Sequence, residues 1–179
     1  MRITPLLLLI ACGPLPQPDP GPDAGAVVEF DDPVTVQRVI DGDTVEVRRG
    51  ENVFRVRLKG VNTPEMNFSE PTVEPEPWAD EARMFTIEKA GLQVGYEVDS
   101  ACTNPEGFCE EGRDDQPCFD RYCRRIGYLR LRNGADLGEA LLREGLARLY
   151  RFNDEVFDRL TTYQQAEAAA QSARLGLWE

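Results

Sequence analysis

The chain has 179 residues, 41% hydrophobic and 29% charged, a composition that suits one globular domain with its own core and argues against a wholly disordered or two-domain chain. Its 20 Lys and Arg stand against 32 Asp and Glu, a net charge of −12, so no global positive field exists to hold a polyanion and any attraction for nucleic acid must be local. Histidine is absent, which excludes Ser-His-Asp and Cys-His catalysis and imidazole metal ligation, and leaves carboxylates, Arg, Lys, Tyr and Cys to carry any chemistry.

The chain opens on "MRITPLLLLIAC", one basic residue, Arg2, followed by an apolar run that stops at Cys12. Roughly 20 apolar residues are needed to span a bilayer, so this run suits a secretory signal and not a membrane helix. Its ending, Leu9, Ile10, Ala11, Cys12, resembles the lipobox of bacterial lipoproteins, which implies removal of residues 1–11 and a diacylglyceryl thioether on Cys12. Residues 12–33 then read as a lipidated cysteine and a Pro- and Gly-rich acidic tether, too poor in apolar residues to fold. The expected protein is exported and anchored to the membrane through Cys12. Gly13 stands where an Asp would signal inner-membrane retention, which points to the outer membrane in a Gram-negative host. The folded domain is expected over residues 34–179.

From Val34 to Leu58, "VTVQRVI" and "TVEVRRGENVFRVRL" alternate apolar and polar residues on both sides of "RRGEN", a hairpin signal. "KGVNTPE" breaks at Pro64 and leads into a Pro- and Glu-rich loop. "WADEARMFTIEKAG" predicts a helix, with Trp78, Ala82, Phe85 and Lys89 or Ala90 near helical spacing and Gly91 at the stop; "LQVGYEVD" predicts a strand. A Cys-rich insertion at about 100–123 interrupts the pattern. "RIGYLRLRNGA" predicts a strand ending at an Asn133-Gly134 turn. Asp136 and Glu139 form a capping pair ahead of a short helix that Gly145 ends, and a long helix is expected from about Asp154 to Arg174. The order β-β-β-α-β-β-α-α suits a small twisted barrel flanked by helices.

"DGDTVEV", "RVRLKGVNTPE", "DRYCRR" and "GEALLREGLARLY", in that order across residues 34–178, resemble the staphylococcal nuclease (thermonuclease-like) family. The resemblance implies an α+β fold, a five-stranded OB-type β-barrel flanked by three helices. It also implies a calcium-dependent nuclease acting on DNA or RNA phosphodiesters; a monomer is expected. Position by position, Asp43 matches the first calcium-ligating carboxylate, Asn62 stands where the family usually has a second Asp ligand, and Thr63 would offer a backbone carbonyl. Arg57 and Arg124 match the arginines that grip the scissile phosphate, and Glu65 matches the carboxylate assigned to water activation. Tyr122 matches an aromatic near the bound nucleotide, and Tyr150 or Phe152 would stack a base. Asp41, by contrast, reads only as part of an Asp-Gly hairpin turn.

The chemistry of that set stands without the family. Attack on a phosphodiester adds charge to oxygens that are already anionic. Two guanidiniums can grip them bidentately, a hard cation on oxygen ligands can neutralise more charge, and a carboxylate left off the metal can take the water's proton.

Three departures from the family stand out. Asn62 is neutral, so weaker metal affinity is expected. Residues 66–80 contain no Lys or Arg, and their Glu and Asp side chains would repel a long polyanion. Cys123 replaces a usual Gly beside Arg124. With Cys12 lipidated, Cys102, Cys109, Cys118 and Cys123 remain, an even number with no Cys-x-x-Cys pair and no His, so two disulfides are expected in preference to a zinc site. Three connectivities are open, with Cys123 paired to Cys102 or to Cys118 preferred, and a bridge at Cys123 is expected to help position Arg124. The alternative function is a catalytically silent OB-fold binding module.

Overall fold

The computed structural model describes residues 30–68, 72–113 and 115–179. The signal, Cys12 and most of the tether lie outside them, as does Glu70. The alternating segments form strands β1 (Pro33–Asp41), β2 (Thr44–Arg49) and β3 (Asn52–Leu58). In β2 the period of two turns Val45 and Val47, both fully buried, towards the core and Arg48 towards solvent. Gly50, at φ 57, turns β2 into β3. Short strand β4 (Val61–Asn62) follows, then helix α1 (Ala79–Ala90), β5 (Gln93–Glu97), β6 (Arg125–Arg130), α2 (Leu137–Arg143), β7 (Arg148–Leu149) and α3 (Leu160–Ala173).

Strands β1, β2, β3, β6 and β5 close into a barrel in that order, and β5 returns to pair with β1. Every pairing is antiparallel except β3 with β6. The expected five-stranded barrel with three helices is therefore present. Within "KGVNTPE", β4 stays outside the barrel and pairs with β7 in a separate two-stranded ribbon. Contacts with the barrel also begin upstream of Val34, because the Tyr96 amide donates to the Asp32 carbonyl at 3.0 Å.

The helices seal the barrel through small and branched side chains. Ala79, Ala82, Thr86 and Ala90 are the buried face of α1, while Trp78 caps its start with φ 73. Asp136 caps α2 by accepting from the Glu139 amide at 2.6 Å, and it also accepts from the Tyr163 hydroxyl at 2.7 Å and pairs with Arg159. Burial raises the Asp136 carboxyl above its ordinary range, and Arg159 is the chief opposing influence. Helix α3 starts at Leu160, later than the expected Asp154. The reason is local: Asn153 and Asp154 have φ of 47 and 57, which a right-handed helix does not accommodate, so residues 152–154 make only a short turn, and Phe157 is buried in the core before the helix begins.

The insertion folds around its own small core of Cys102, Cys118 and Phe119. Its bridges are Cys102–Cys118 and Cys109–Cys123, so neither preferred partner of Cys123 is the real one. Cys102 and Cys118 are both buried against Phe119, whereas Cys123 lies on an exposed turn and reaches Cys109, which packs half-buried against the same small core.

Candidate active site

The β1–β2 turn carries Asp41, Gly42 and Asp43 to the end of the barrel. Gly42 is required by space: a Cβ there would lie 2.8 Å from Thr63 Cγ2 and 2.9 Å from Ala82 Cβ. This close approach fastens the turn under α1, where the Thr86 hydroxyl donates to the Gly42 carbonyl at 2.6 Å.

Asp43 is 1% exposed, a burial that a carboxylate tolerates only with full compensation. Its Oδ2 accepts from the Thr63 amide at 2.7 Å and pairs with Arg57 Nη1 at 2.9 Å. Its Oδ1 accepts from the Thr44 hydroxyl at 3.0 Å. Arg57, between the core residues Val56 and Leu58 on β3, also donates to the Val61 carbonyl at 2.6 Å and to Asn62 Oδ1 at 2.7 Å. Asn62 therefore holds the arginine without adding a negative charge. Thr44 passes the network on, because its Oγ1 accepts from Arg124 Nη1 at 3.3 Å. The two arginines expected to act together are thus joined through Asp43 and Thr44.

Arg124 is aimed by Asp120, the first residue of "DRYCRR", whose role the sequence alone does not signal. Asp120 Oδ2 accepts from Arg124 Nε at 2.6 Å, and its Oδ1 accepts from the Tyr122 and Arg124 amides at 2.9 Å each. Cys123, at φ 57, lies within this turn, and its bridge to Cys109 pins it from outside. Tyr122 stands 66% exposed beside Arg124, with the guanidinium 5.3 Å from its ring centre.

A cavity of about 660 Å³ collects most of these groups: Arg57, Asn62, Glu65, Arg124, Tyr122, Tyr150 and Phe152 all line it. Both aromatics between which the sequence did not choose, Tyr150 and Phe152, therefore face the same space. Asp43 and Thr63 lie buried behind the wall.

Asp41 is more than a turn residue. Its Oδ1 accepts from the Met66 amide at 3.1 Å, which puts it beside Glu65. Desolvation raises the Asp41 carboxyl above its ordinary range, and the charge of Asp43 adds to this. Glu65 is raised in the same way, first by desolvation and then by Asp41 and Asp43, with Arg57 and Arg124 opposing. Three carboxylates thus share a region that two arginines do not fully neutralise.

Among the described residues no group of three or more Asp, Glu, Cys or His side chains is gathered closely enough to hold a metal ion by itself. The residues nonetheless fit a hard cation, since the donors are all oxygens, the carboxylates repel one another, and Thr63 Oγ1 is buried with no hydrogen-bond partner. Asn62 Oδ1 keeps a second lone pair beyond the bond from Arg57.

Comparison with known proteins finds a family match and several relatives. The family described as "Staphylococcal nuclease homologue" matches residues 55–179. A thermonuclease of Staphylococcus hyicus is 34% identical over 146 residues, which cover 80% of this chain and 73% of that protein. A thermonuclease of Staphylococcus intermedius is 34% identical over 147 residues, 80% of this chain and 74% of that protein. Staphylococcal nuclease domain-containing protein 1 of Schizosaccharomyces pombe is 30% identical over 163 residues, and there the match spans 88% of this chain but only 16% of the relative.

Proposed function

Since the chain belongs to the staphylococcal nuclease homologue family, we propose that it is a nuclease that hydrolyses the phosphodiester bonds of DNA or RNA. The observation that carries this reading is Glu65, a carboxyl raised above its ordinary range, lining one cavity with two arginines whose directions are fixed by carboxylates of their own.

Arg57 and Arg124 bind the phosphoryl oxygens, where their planar, permanently charged donors match the charge that grows during attack. Asp43 and Asp120 hold them in place beforehand, so little reorganisation is needed. Glu65 takes the proton of the attacking water, and its raised pKa brings it closer to the working pH that a general base requires. Tyr122, with Tyr150 and Phe152 across the cavity, offers ring faces to the nucleotide.

Calcium fits the oxygen donors here. The Asp43 carboxylate, the Thr63 carbonyl and the Asn62 amide oxygen would hold it, with Asp41 at hand as a further carboxylate. When bound, such a cation supplies charge neutralisation at the phosphoryl group and acidifies water. Export and lipid anchoring through Cys12 are proposed on the leader sequence alone, and incorporation of labelled palmitate into the chain but not into Cys12→Ser tests them.

For the activity, the disulfide-bonded protein is assayed on single-stranded DNA and on RNA, with calcium and with a chelator. Cleavage is expected with calcium only, and Glu65→Gln is expected to abolish it while the protein stays folded. Folded protein that cleaves neither substrate would favour the binding-module alternative.

A further inference from the structure

A second cavity, of about 590 Å³, opens on the other side of Glu65, and nothing described so far uses it. Arg38, Arg55 and Arg83 line it together with Phe68, while Glu65 and Asp41 form the edge towards the catalytic groups. Glu65 lines both cavities, so the two adjoin at this carboxylate.

The lining is suited to a nucleotide. Phe68 is 58% exposed, and the Arg83 guanidinium lies 5.6 Å from its ring centre, so one face of a half-exposed ring borders the cavity beside a cation. Arg83 is itself steadied by a bond from its Nε to the Val39 carbonyl at 3.2 Å. Arg38 and Arg55 share one carboxylate, Glu46, at 3.8 and 3.6 Å, and their side chains remain 59% and 53% exposed. Exposed ion pairs of that length hold arginines weakly, so both can turn to a phosphate. The volume lies within the range of small-ligand sites.

The acidic loop takes on a different role in this setting. One of its carboxylates is engaged within the loop, since Glu76 accepts from the Glu65 amide at 3.1 Å, and the Asn67 side chain ties the loop by donating to the Glu74 backbone carbonyl at 2.8 Å. The loop presents Phe68 to the cavity, and the cations come from β1, β3 and α1 instead.

We propose that this cavity is a second nucleotide subsite, in which Phe68 stacks a base and Arg38, Arg55 and Arg83 hold the backbone phosphate on the far side of the scissile bond. The proposal rests on the nuclease reading of the first cavity. It makes the preferred substrate a polynucleotide strand that runs through both cavities, and it makes a single nucleotide unit a poor substrate.

The test is the ratio of kcat/KM on a ten-nucleotide oligothymidylate to kcat/KM on a p-nitrophenyl diester of thymidine, which carries one nucleoside. Arg38→Ala/Arg55→Ala and, separately, Phe68→Ala are each expected to lower the ratio by about tenfold, the scale of one lost stacking or phosphate contact. Arg143→Ala, which removes an exposed charge on α2, is expected to leave it unchanged. A ratio within twofold of the parent in both subsite variants would overturn the subsite. Binding separates this from a failure of the nuclease reading: the anisotropy of a fluorescein-labelled oligothymidylate is measured on Glu65→Gln protein, with and without the subsite substitutions. A Kd raised about tenfold by them upholds the subsite even if no form of the protein cleaves anything, whereas an unchanged Kd overturns it.

Discussion

Removing the Cys109–Cys123 bridge should cost both stability and phosphate grip, and the two losses can be separated. The bridged residues are 14 apart in sequence, and a loop of that size releases about 3 kcal/mol of chain entropy to the unfolded state when it is opened. Cys123 also holds φ 57, a left-handed conformation that costs a residue with a Cβ roughly 1–2 kcal/mol. In Cys109→Ser/Cys123→Ser the crosslink is gone and the unfavourable φ remains, so the unfolding free energy should fall by about 3 kcal/mol. Arg124 follows directly, and its Nε bond to Asp120 at 2.6 Å depends on the same turn, so kcat/KM should fall by about tenfold through looser phosphate binding. In Cys109→Ser/Cys123→Gly the crosslink is equally absent but the turn suits its residue, so about 1 kcal/mol and part of the activity should return. Cys102–Cys118 stays closed in both variants and keeps the insertion's small core. Denaturant unfolding and steady-state cleavage of a short diester, at a temperature where all forms are folded, read the two effects. A double serine variant with the parent's kcat/KM would refute the positioning role. A glycine variant no more stable than the serine one would refute the cost assigned to φ.

Two further outcomes follow from the packing. Asp41 and Glu65 bind protons more tightly folded than unfolded, so their contribution to stability is full below the unfolded carboxylate range and is lost as pH rises through the raised folded values. Asp41→Asn keeps an acceptor for the Met66 amide while removing a charge, so Tm should rise at neutral pH and change little at acid pH, and calcium affinity by calorimetry should weaken; a lower Tm at neutral pH would contradict this. Gly60→Ala places a Cβ 2.4 Å from the Phe157 ring at φ 74, so denaturant unfolding should show a loss of about 2–4 kcal/mol, and a loss below about 1 kcal/mol would mean that the ring moves aside.

What the sequence made legible was local or carried by ordered motifs. Alternation around Gly50 marks β2 and β3 because one face of each must be buried, and the Asp136–Glu139 pair marks α2 because its orphan amides need an acceptor. The unforeseen features are set by neighbours distant in sequence. Asp41 looks like a turn residue until the Met66 amide, 25 residues on, is brought to it. The disulfide partners are decided by how the insertion folds around Phe119, and spacing carries no record of that. Asp154 looks like a helix start, yet its left-handed φ and the inward Phe157 postpone α3 to Leu160. Phe68 gave no signal at all, since an exposed aromatic in an acidic loop has meaning only beside the arginines of β1, β3 and α1.

The charge balance explains why those arginines matter. With a net charge of −12 the surface as a whole repels a polyanion, so attraction has to act within the Debye length, about 8 Å at physiological salt. Within the site, Arg57 and Arg124 are each committed to a carboxylate, Asp43 and Asp120. Those partners fix direction at the expense of local positive charge, so they favour selectivity for a correctly placed phosphate over general attraction. Arg38 and Arg55 show the opposite arrangement, two exposed guanidiniums sharing the single carboxylate of Glu46, and so retain an excess of positive charge. The oriented pair is suited to chemistry and the under-compensated pair to capture, and Glu65, bordering both cavities, stands where a strand held by one pair is delivered to the other.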